Sequence, residues 1–365
     1  MGDHVLLTGA TGFLGGYLAG ELLTRTSATV HCLVRGRSGG GGEARLLAGL
    51  RRVGADADGR VRMVHGNLRK PRLGLSDREY ARLAERIGAV YHCAASVNLA
   101  AHRDRLAPTN VEGTRAVLAL AGHGGRRTPV HLVSTQGVFI ASRAAGAAVI
   151  AEDTPVPSAY AGDIGYTRTK WEAEEAARAA DVPVAVYRPG VVLGHSATGH
   201  CSDNDFLARL LRAVVRVGAA PDCEGDITVS PVDHVARTIV DLSQRPDALG
   251  GTFHTTHPEH LAFREVFDHA RALGYPLREC SLREWHGLLR DDIGSSDSFV
   301  MLALWKVVDH LLATRPEYRI PRIDSSATLA RTGAVPPWPD RDFFGRTIDH
   351  LVGREVLPPL PLART

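Results

Sequence analysis

Short apolar runs alternate, through the first half of the chain, with stretches whose apolar residues recur every three or four positions. The runs 5–8, 29–34, 61–65, 89–93, 130–134 and 184–187 have the length and composition of buried strands. Between them helical spacing covers 14–24, 44–53, 77–86, 111–121 and 166–180. A strand-then-helix rhythm repeated in this way predicts an α/β fold, a Rossmann-like, doubly wound parallel sheet with helices on both faces, rather than a barrel. After Pro189 the rhythm weakens. One helical stretch covers 206–217, another opens at 232–236, 251–254 reads as a last sheet strand, and from Ala262 onward helices prevail. The pattern therefore predicts a dinucleotide-binding domain over 1–190, rejoined by 226–256, and a smaller, mostly helical lobe from 191–225 and 257–365 to hold the substrate.

A chain of 365 residues is long enough for one large domain and a smaller one. Its formal charge of +3 is spread without a basic block, which excludes the usual electrostatic footprint for nucleic acid. No run of about eighteen apolar residues offers a membrane span. Met1 to His4 leads straight into the first strand without a signal-peptide pattern, so a cytoplasmic location is expected. The five cysteines, Cys32, Cys93, Cys201, Cys223 and Cys280, form no CxxC pair and are expected to be inert thiols, with no metal bound. The scattered histidines are expected in surface and capping roles. The glycine run 36–42, with Ser38 inside, predicts a flexible loop beside the adenosine end of a cofactor. The late chain carries Trp285, Trp305 and Trp338, and its proline-rich end, from Pro336-Pro337 on, is expected to pack back on its own domain rather than serve as a docking ligand.

The first strand runs into Gly9-Ala10-Thr11-Gly12-Phe13-Leu14-Gly15, a GxxGxxG turn opening a helix. Such a turn lets backbone amides and a helix N-terminus approach a dinucleotide pyrophosphate, which makes Gly9, Thr11, Gly12, Phe13, Leu14 and Gly15 the expected cradle. Arg35 stands twenty residues after Gly15, at the end of the second strand, where an acidic residue would hold the ribose of NAD. An arginine there suits a 2′-phosphate instead, so NADPH is the expected cofactor, with Arg37 and Arg45 as additional phosphate partners. Asn67 and Leu68 follow the third strand, beside the adenine. Ala94 and Ala95 follow the fourth, where small side chains leave room for ribose.

Thr135 ends the fifth strand, and Tyr166 and Lys170, at i and i+4, share one helix face. A phenol titrates at about 10, so a neighbouring ammonium and the nicotinamide's positive charge are expected to lower it and make Tyr166 the proton donor. Thr135 would hold the substrate carbonyl oxygen as charge develops on it. Asn110 is either a helix cap or a group that holds water or backbone near the lysine.

TGATGFLG, NVEGT, VSTQGVF, YTRTK and YRPG together make the chain resemble the extended short-chain dehydrogenase/reductase family. Within it, His31-Cys32-Leu33-Val34-Arg35, Gly66-Asn67-Leu68, Tyr91 to Asn98, Gly165 to Glu174 and Arg188-Pro189-Gly190 are most similar to thioester reductase domains, the terminal reductases of nonribosomal peptide and polyketide synthases and of carboxylic acid reductases. The resemblance covers nearly the whole chain. It implies that an acyl, peptidyl or polyketide thioester on the phosphopantetheine arm of a carrier protein is released reductively with NADPH, giving an aldehyde and, after a second hydride, an alcohol. It also implies Thr135, Tyr166 and Lys170 as the catalytic set and Pro189, Tyr166 and Lys170 at the cofactor. Both an excised terminal domain and a free-standing reductase fit.

Two other readings compete. A reductase or epimerase acting on a free small molecule or nucleotide sugar would share every cofactor and catalytic residue, and would differ by an enclosed polar pocket in place of an open channel. A non-catalytic NADP-binding sensor would have no use for a proton donor, against which Thr135, Tyr166 and Lys170 all stand.

Overall fold

Val5, Leu6 and Leu7 are wholly buried, which only a strand covered on both faces allows. The computed structural model describes residues 3–36, 39–55, 59–203, 205–312 and 319–360. The chain begins β1 (His4–Thr8), α1 (Phe13–Arg25), β2 (Thr29–Val34), α2 (Gly41–Arg52), β3 (Val61–His65), α3 (Asp77–Arg86), β4 (Ala89–His92), α4 (Arg103–Asn110), α5 (Glu112–Ala121) and β5 (Val130–Val133). There follow β6 (Val149–Ile150), α6 (Gly165–Arg178), β7 (Val184–Tyr187), β8 (Val191–Leu193), α7 (Phe206–Val217), β9 (Ala219–Pro221), β10 (Asp226–Pro231), α8 (Val232–Ser243) and β11 (Thr252–Phe253).

Seven of these strands form one sheet in the order β11-β7-β5-β4-β1-β2-β3, and every pairing in it is parallel. The chain builds outward from β1 to β3, then returns to lay β4 on the other side of β1. That reversal opens a crevice at the carboxyl ends of β1 and β4, the place where such sheets bind ligands. Alternation decides the layers: Val5 and Leu7 pack with Leu18 and Leu22 of α1 and Ile239 of α8 on one face, while Leu6 packs with Val117 of α5 and Ala177 of α6 on the other.

The chain continues with β12 (His260–Ala262), α9 (Phe263–Ala272), β13 (Arg278–Cys280), α10 (Leu282–Asp291), α11 (Ser296–Ala303), α12 (Trp305–Leu312), β14 (Arg322–Ile323), α13 (Ser326–Thr332) and α14 (Arg341–Gly353). Ile323 of β14, which pairs with β6, packs with Phe139 and Ile150, whereas the second core gathers β12, α9, β13, α10, α11, α12 and α14 with β8 to β10 and α7. Trp285 is fully buried there, with Trp305 against it. Leu357 is buried in the same core and the Tyr275 hydroxyl donates to Pro358 O at 2.7 Å, so the described end of the chain packs back.

Three details differ from the pattern. Of the segment 226–256, expected to rejoin the dinucleotide-binding domain, the first part forms β10, which pairs with β8 and β12 because its inward residues Ile227 and Val229 face the second core; the chain returns at α8. The helix expected over 111–121 is α5, with the separate α4 ahead of it. The glycine run is not all loop: α2 starts at Gly41, and a Cβ on Gly42 would sit 2.4 Å from Arg35 O, so the glycine lets the helix close onto the end of β2. Ser38 lies outside the described residues.

Candidate active site

The GxxGxxG turn is held by a contact no side chain could share. Gly9 has φ +82°, and a Cβ on it would meet Ala94 N at 2.7 Å; a Cβ on Gly15 would lie 2.0 Å from Gly9 O. Thr8 Oγ1 accepts from Ala94 N at 3.2 Å, locking the end of β4 to the end of β1. Gly12 caps α1 without any side-chain hydrogen bond and is exposed, so the first-turn N–H groups, Phe13 and Leu14 included, face outward with the positive end of the helix. Thr11, Phe13 and Leu14 are half-buried around it. This cradle fits a dinucleotide diphosphate.

Around that crevice, Arg35 follows β2 and Arg45 lies on α2; both are exposed, and neither forms an ion pair among the described residues. Arg37 lies outside the described residues. Asn67 and Leu68 follow β3: Asn67 Oδ1 accepts from Arg69 N at 3.0 Å, and Leu68 packs over Gly113 of α5. Ala94 and Ala95 follow β4, half-buried.

Thr135, just past β5, accepts from Gly137 N at 3.1 Å through its Oγ1, which turns its own O–H outward; the hydroxyl reaches the Tyr166 phenol. Tyr166 stands on the first turn of α6, half-buried. Lys170, one turn on and 3% exposed, donates from Nζ to Val133 O at 2.7 Å. Pro189 follows β7, and its carbonyl accepts from Gln136 N at 2.9 Å. The segments that follow β4, β5 and β7, with the first turns of α6, thus bring Ala94, Thr135, Tyr166, Lys170 and Pro189 to one edge of the sheet.

Burial pushes the Tyr166 phenol up to about 12, the Thr135 hydrogen bond pulls it down and Cys93 pushes it up. Burial lowers Lys170 to about 8 against the opposing pull of Glu174 and Cys93. The phenol is raised rather than lowered as expected from Lys170: burial is the largest cause for both groups, and the amine directs one of its donors to the Val133 carbonyl.

Ser134, Glu174 and Arg188 enter the sequence pattern only as members of longer motifs, with no role of their own. Glu174 is fully buried; it accepts from Ser134 Oγ at 2.6 Å, from Arg188 Nε at 3.0 Å and Nη2 at 2.7 Å, and from Arg178 Nη2 at 2.7 Å. Its i+4 spacing from Lys170 was the available signal. Asn110 ends α4 rather than capping a helix start: its Oδ1 accepts from Ser96 N at 2.7 Å, and its Nδ2 donates to Ser96 O at 3.1 Å and Thr169 Oγ1 at 3.0 Å. Several histidines also depart from the surface role expected. His92 is buried between Thr8 Oγ1 and Thr114 Oγ1, and His131 against the Tyr187 hydroxyl, because polar partners on the sheet and on α5 take up the ring nitrogens. Cys93 lies just past β4, half-buried rather than inside the strand. Among the described residues no helix is long and apolar enough to cross a membrane.

The family model described as "Male sterility protein" matches residues 7–239. The isonitrile lipopeptide synthase of Streptomyces coeruleorubidus is 38% identical over 375 aligned residues, which cover 98% of this chain and 25% of that protein. A glycine betaine reductase of Emericella nidulans is 38% identical over 78% of this chain and 23% of its own length. The chain thus spans a quarter or less of these two relatives. Among solved structures, the terminal R domain from the myxalamid PKS-NRPS biosynthetic pathway superposes with a TM-score of 0.90 at 35% identity, covering 98% of this chain and 93% of that one. The UDP-glucuronic acid 4-epimerase from Bacillus cereus, at 15% identity and a TM-score of 0.68, shares the fold. With its glycine cradle, its parallel sheet and its Thr-Tyr-Lys edge, the chain belongs to the NAD-binding male sterility family of extended short-chain dehydrogenase/reductases, alongside the terminal reductase domains of nonribosomal peptide and polyketide synthases.

Proposed function

We propose that the chain is an NADPH-dependent thioester reductase that releases an acyl, peptidyl or polyketide chain from the phosphopantetheine arm of a carrier protein, in the cytoplasm. The convergence of Thr135, Tyr166 and Lys170 beside a glycine cradle carries the reading. Bound NADPH supplies the hydride. Thr135 orients the thioester carbonyl through its O–H, which Gly137 N does not occupy and which turns from the Tyr166 phenol to the arriving oxygen. Tyr166 gives its phenolic proton to the carbonyl oxygen as charge gathers there, and Lys170, protonated below about pH 8, supplies the cationic neighbour once the oxygen and phenol are in place. The hemithioacetal so formed returns its hydroxyl proton to the Tyr166 phenolate as its carbonyl re-forms, the C–S bond breaks, and the pantetheine thiolate leaves and takes a proton from solvent. A thiol of pKa about 8.5 leaves far more readily than an alkoxide, so the aldehyde is released, and a second round yields an alcohol.

Exposed Arg35 at the end of β2, with exposed Arg45 on α2, supports the preference for NADPH over NADH. Asn67, Leu68, Ala94, Ala95 and Pro189 would line the adenosine and nicotinamide ends. The dinucleotide would occupy the sheet domain, residues 1–190 with the later return, and the acyl chain the helical lobe. The test offers purified protein an acyl-pantetheine or acyl-carrier thioester with NADPH, follows loss of reduced-nicotinamide absorbance and identifies the product. Aldehyde or alcohol is expected. Tyr166→Phe should lose at least about a hundredfold in kcat with NADPH affinity little changed; a parental rate would remove Tyr166 as the proton donor.

A further inference from the structure

We propose that Glu174 is a positioning residue for this reaction: one buried carboxylate fastens together the three chain segments that carry Thr135, the Tyr166–Lys170 turn and Pro189, and keeps a negative charge beside the Lys170 amine. The inference rests on the thioester-reductase reading above. Glu174 lies four residues after Lys170 on α6. Its partner Ser134, at 2.6 Å, immediately precedes Thr135, and its partner Arg188, at 3.0 and 2.7 Å, immediately precedes Pro189. Arg188 is 1% exposed, and its guanidinium carbon stands 4.8 Å from the centre of the Phe139 ring, in the short turn that Thr135 caps. The pair therefore touches the Thr135 turn from both ends.

Stability alone does not call for this arrangement, since well-packed apolar side chains serve a core as well as a buried ion pair does. A carboxylate with four donors around it supplies fixed direction instead. Burial would raise Glu174, but Arg188, Ser134 and Arg178 hold it below its usual range, so it is charged at neutral pH. The groups facing Lys170 are Glu174 on its own helix, Cys93 and His92 at the end of β4, and the Val133 carbonyl of β5. Burial pushes Cys93 up to about 12 and His92 down to about 3, which leaves both neutral and Glu174 as the anion among them.

The test measures kcat and KM with an acyl-pantetheine thioester across about pH 6 to 10, NADPH affinity and melting temperature for the parent, Glu174→Gln, Ser134→Ala and Tyr166→Phe. For Glu174→Gln the expected result is a fall in kcat of about tenfold or more, NADPH affinity within about twofold of the parent, and an alkaline limb displaced to lower pH. Ser134→Ala keeps the ion pair, so its kcat should fall about threefold or more with the limb in place. A merely structural role would lower melting temperature and cofactor affinity without moving the limb, and that result overturns the proposal. Should Glu174→Gln fail to fold because Arg188 is left buried and unpaired, Ser134→Ala decides, and a parental kcat rejects the inference. Loss of activity in Tyr166→Phe together with parental Glu174→Gln and Ser134→Ala rejects this inference alone; a parental Tyr166→Phe rejects the underlying reading and this inference with it.

Discussion

Adding one methyl group at each of two neighbouring glycines should separate the packing of the cofactor turn from its use. In Gly15→Ala the new Cβ would lie 2.0 Å from Gly9 O and 2.6 Å from Gly9 C, against an ordinary contact that begins at 3.4 Å. Helix α1 and the turn must then move apart by about 1.4 Å, and both sides of the clash are backbone, so the cost belongs at the upper end of overpacking, about 3 kcal/mol. With an unfolding entropy that scales with chain length, this corresponds to a fall in Tm of about 4 °C. Gly12→Ala is different. Its nearest neighbour would be Gly9 O at 3.2 Å, and its φ of −90° with ψ of 174° suits alanine, so the folding cost should stay within about 0.5 kcal/mol. The methyl nevertheless stands on the exposed cap of α1, where a diphosphate would approach the free N–H groups. NADPH affinity should fall at least about tenfold, or about 1.4 kcal/mol. Thermal melts and titration of nicotinamide fluorescence measure both quantities. A Gly12→Ala protein that binds NADPH like the parent would show that the diphosphate does not sit on this helix end, and a Gly15→Ala protein with parental Tm would refute the packing argument.

Arg35→Ala should narrow the ratio of NADPH to NADH affinity by about tenfold, as a charge-assisted phosphate contact requires, and an unchanged ratio from paired titrations would discard its role. Because burial lowers Lys170 to about 8, its ammonium is present at neutral pH and lost above that value, so kcat should decline on the alkaline side; a rate flat to about pH 10 would contradict this. The stability effect has the opposite sense: the unfolded lysine keeps its proton to about 10.4, so between about pH 8 and 10.4 the unfolded state binds more protons and Lys170 contributes more stability as pH rises, an increment that Lys170→Met should remove from urea unfolding curves. Asn110→Ala deletes bonds to Ser96 and Thr169 at a site 1% exposed and should cost about 2–3 kcal/mol in the same assay. A loss below about 0.5 kcal/mol would mean that water replaces the amide.

The order of strands and helices, the glycine turn and the i, i+4 pair of Tyr166 and Lys170 were determined by the sequence alone, because each depends on spacing along a few neighbouring residues. Periodicity shows that Val5 and Leu7 share a face opposite Leu6, and the missing side chains of Gly9 and Gly15 announce a backbone contact before the partner is known. Only the tertiary structure decided what lies across from them. It set Ala94 against Gly9, turned the Lys170 amine onto Val133 O, and buried Glu174 among Ser134, Arg178 and Arg188, partners that arrive from separate segments. Desolvation belongs to the same class: the phenol and the amine shift with the low-dielectric surroundings that the packed sheet edge creates, and local spacing carries no measure of that. β10 shows the limit from the other side, since an alternating apolar strand fits either sheet and it is the second core, facing Ile227 and Val229, that selects β8 and β12 as its neighbours.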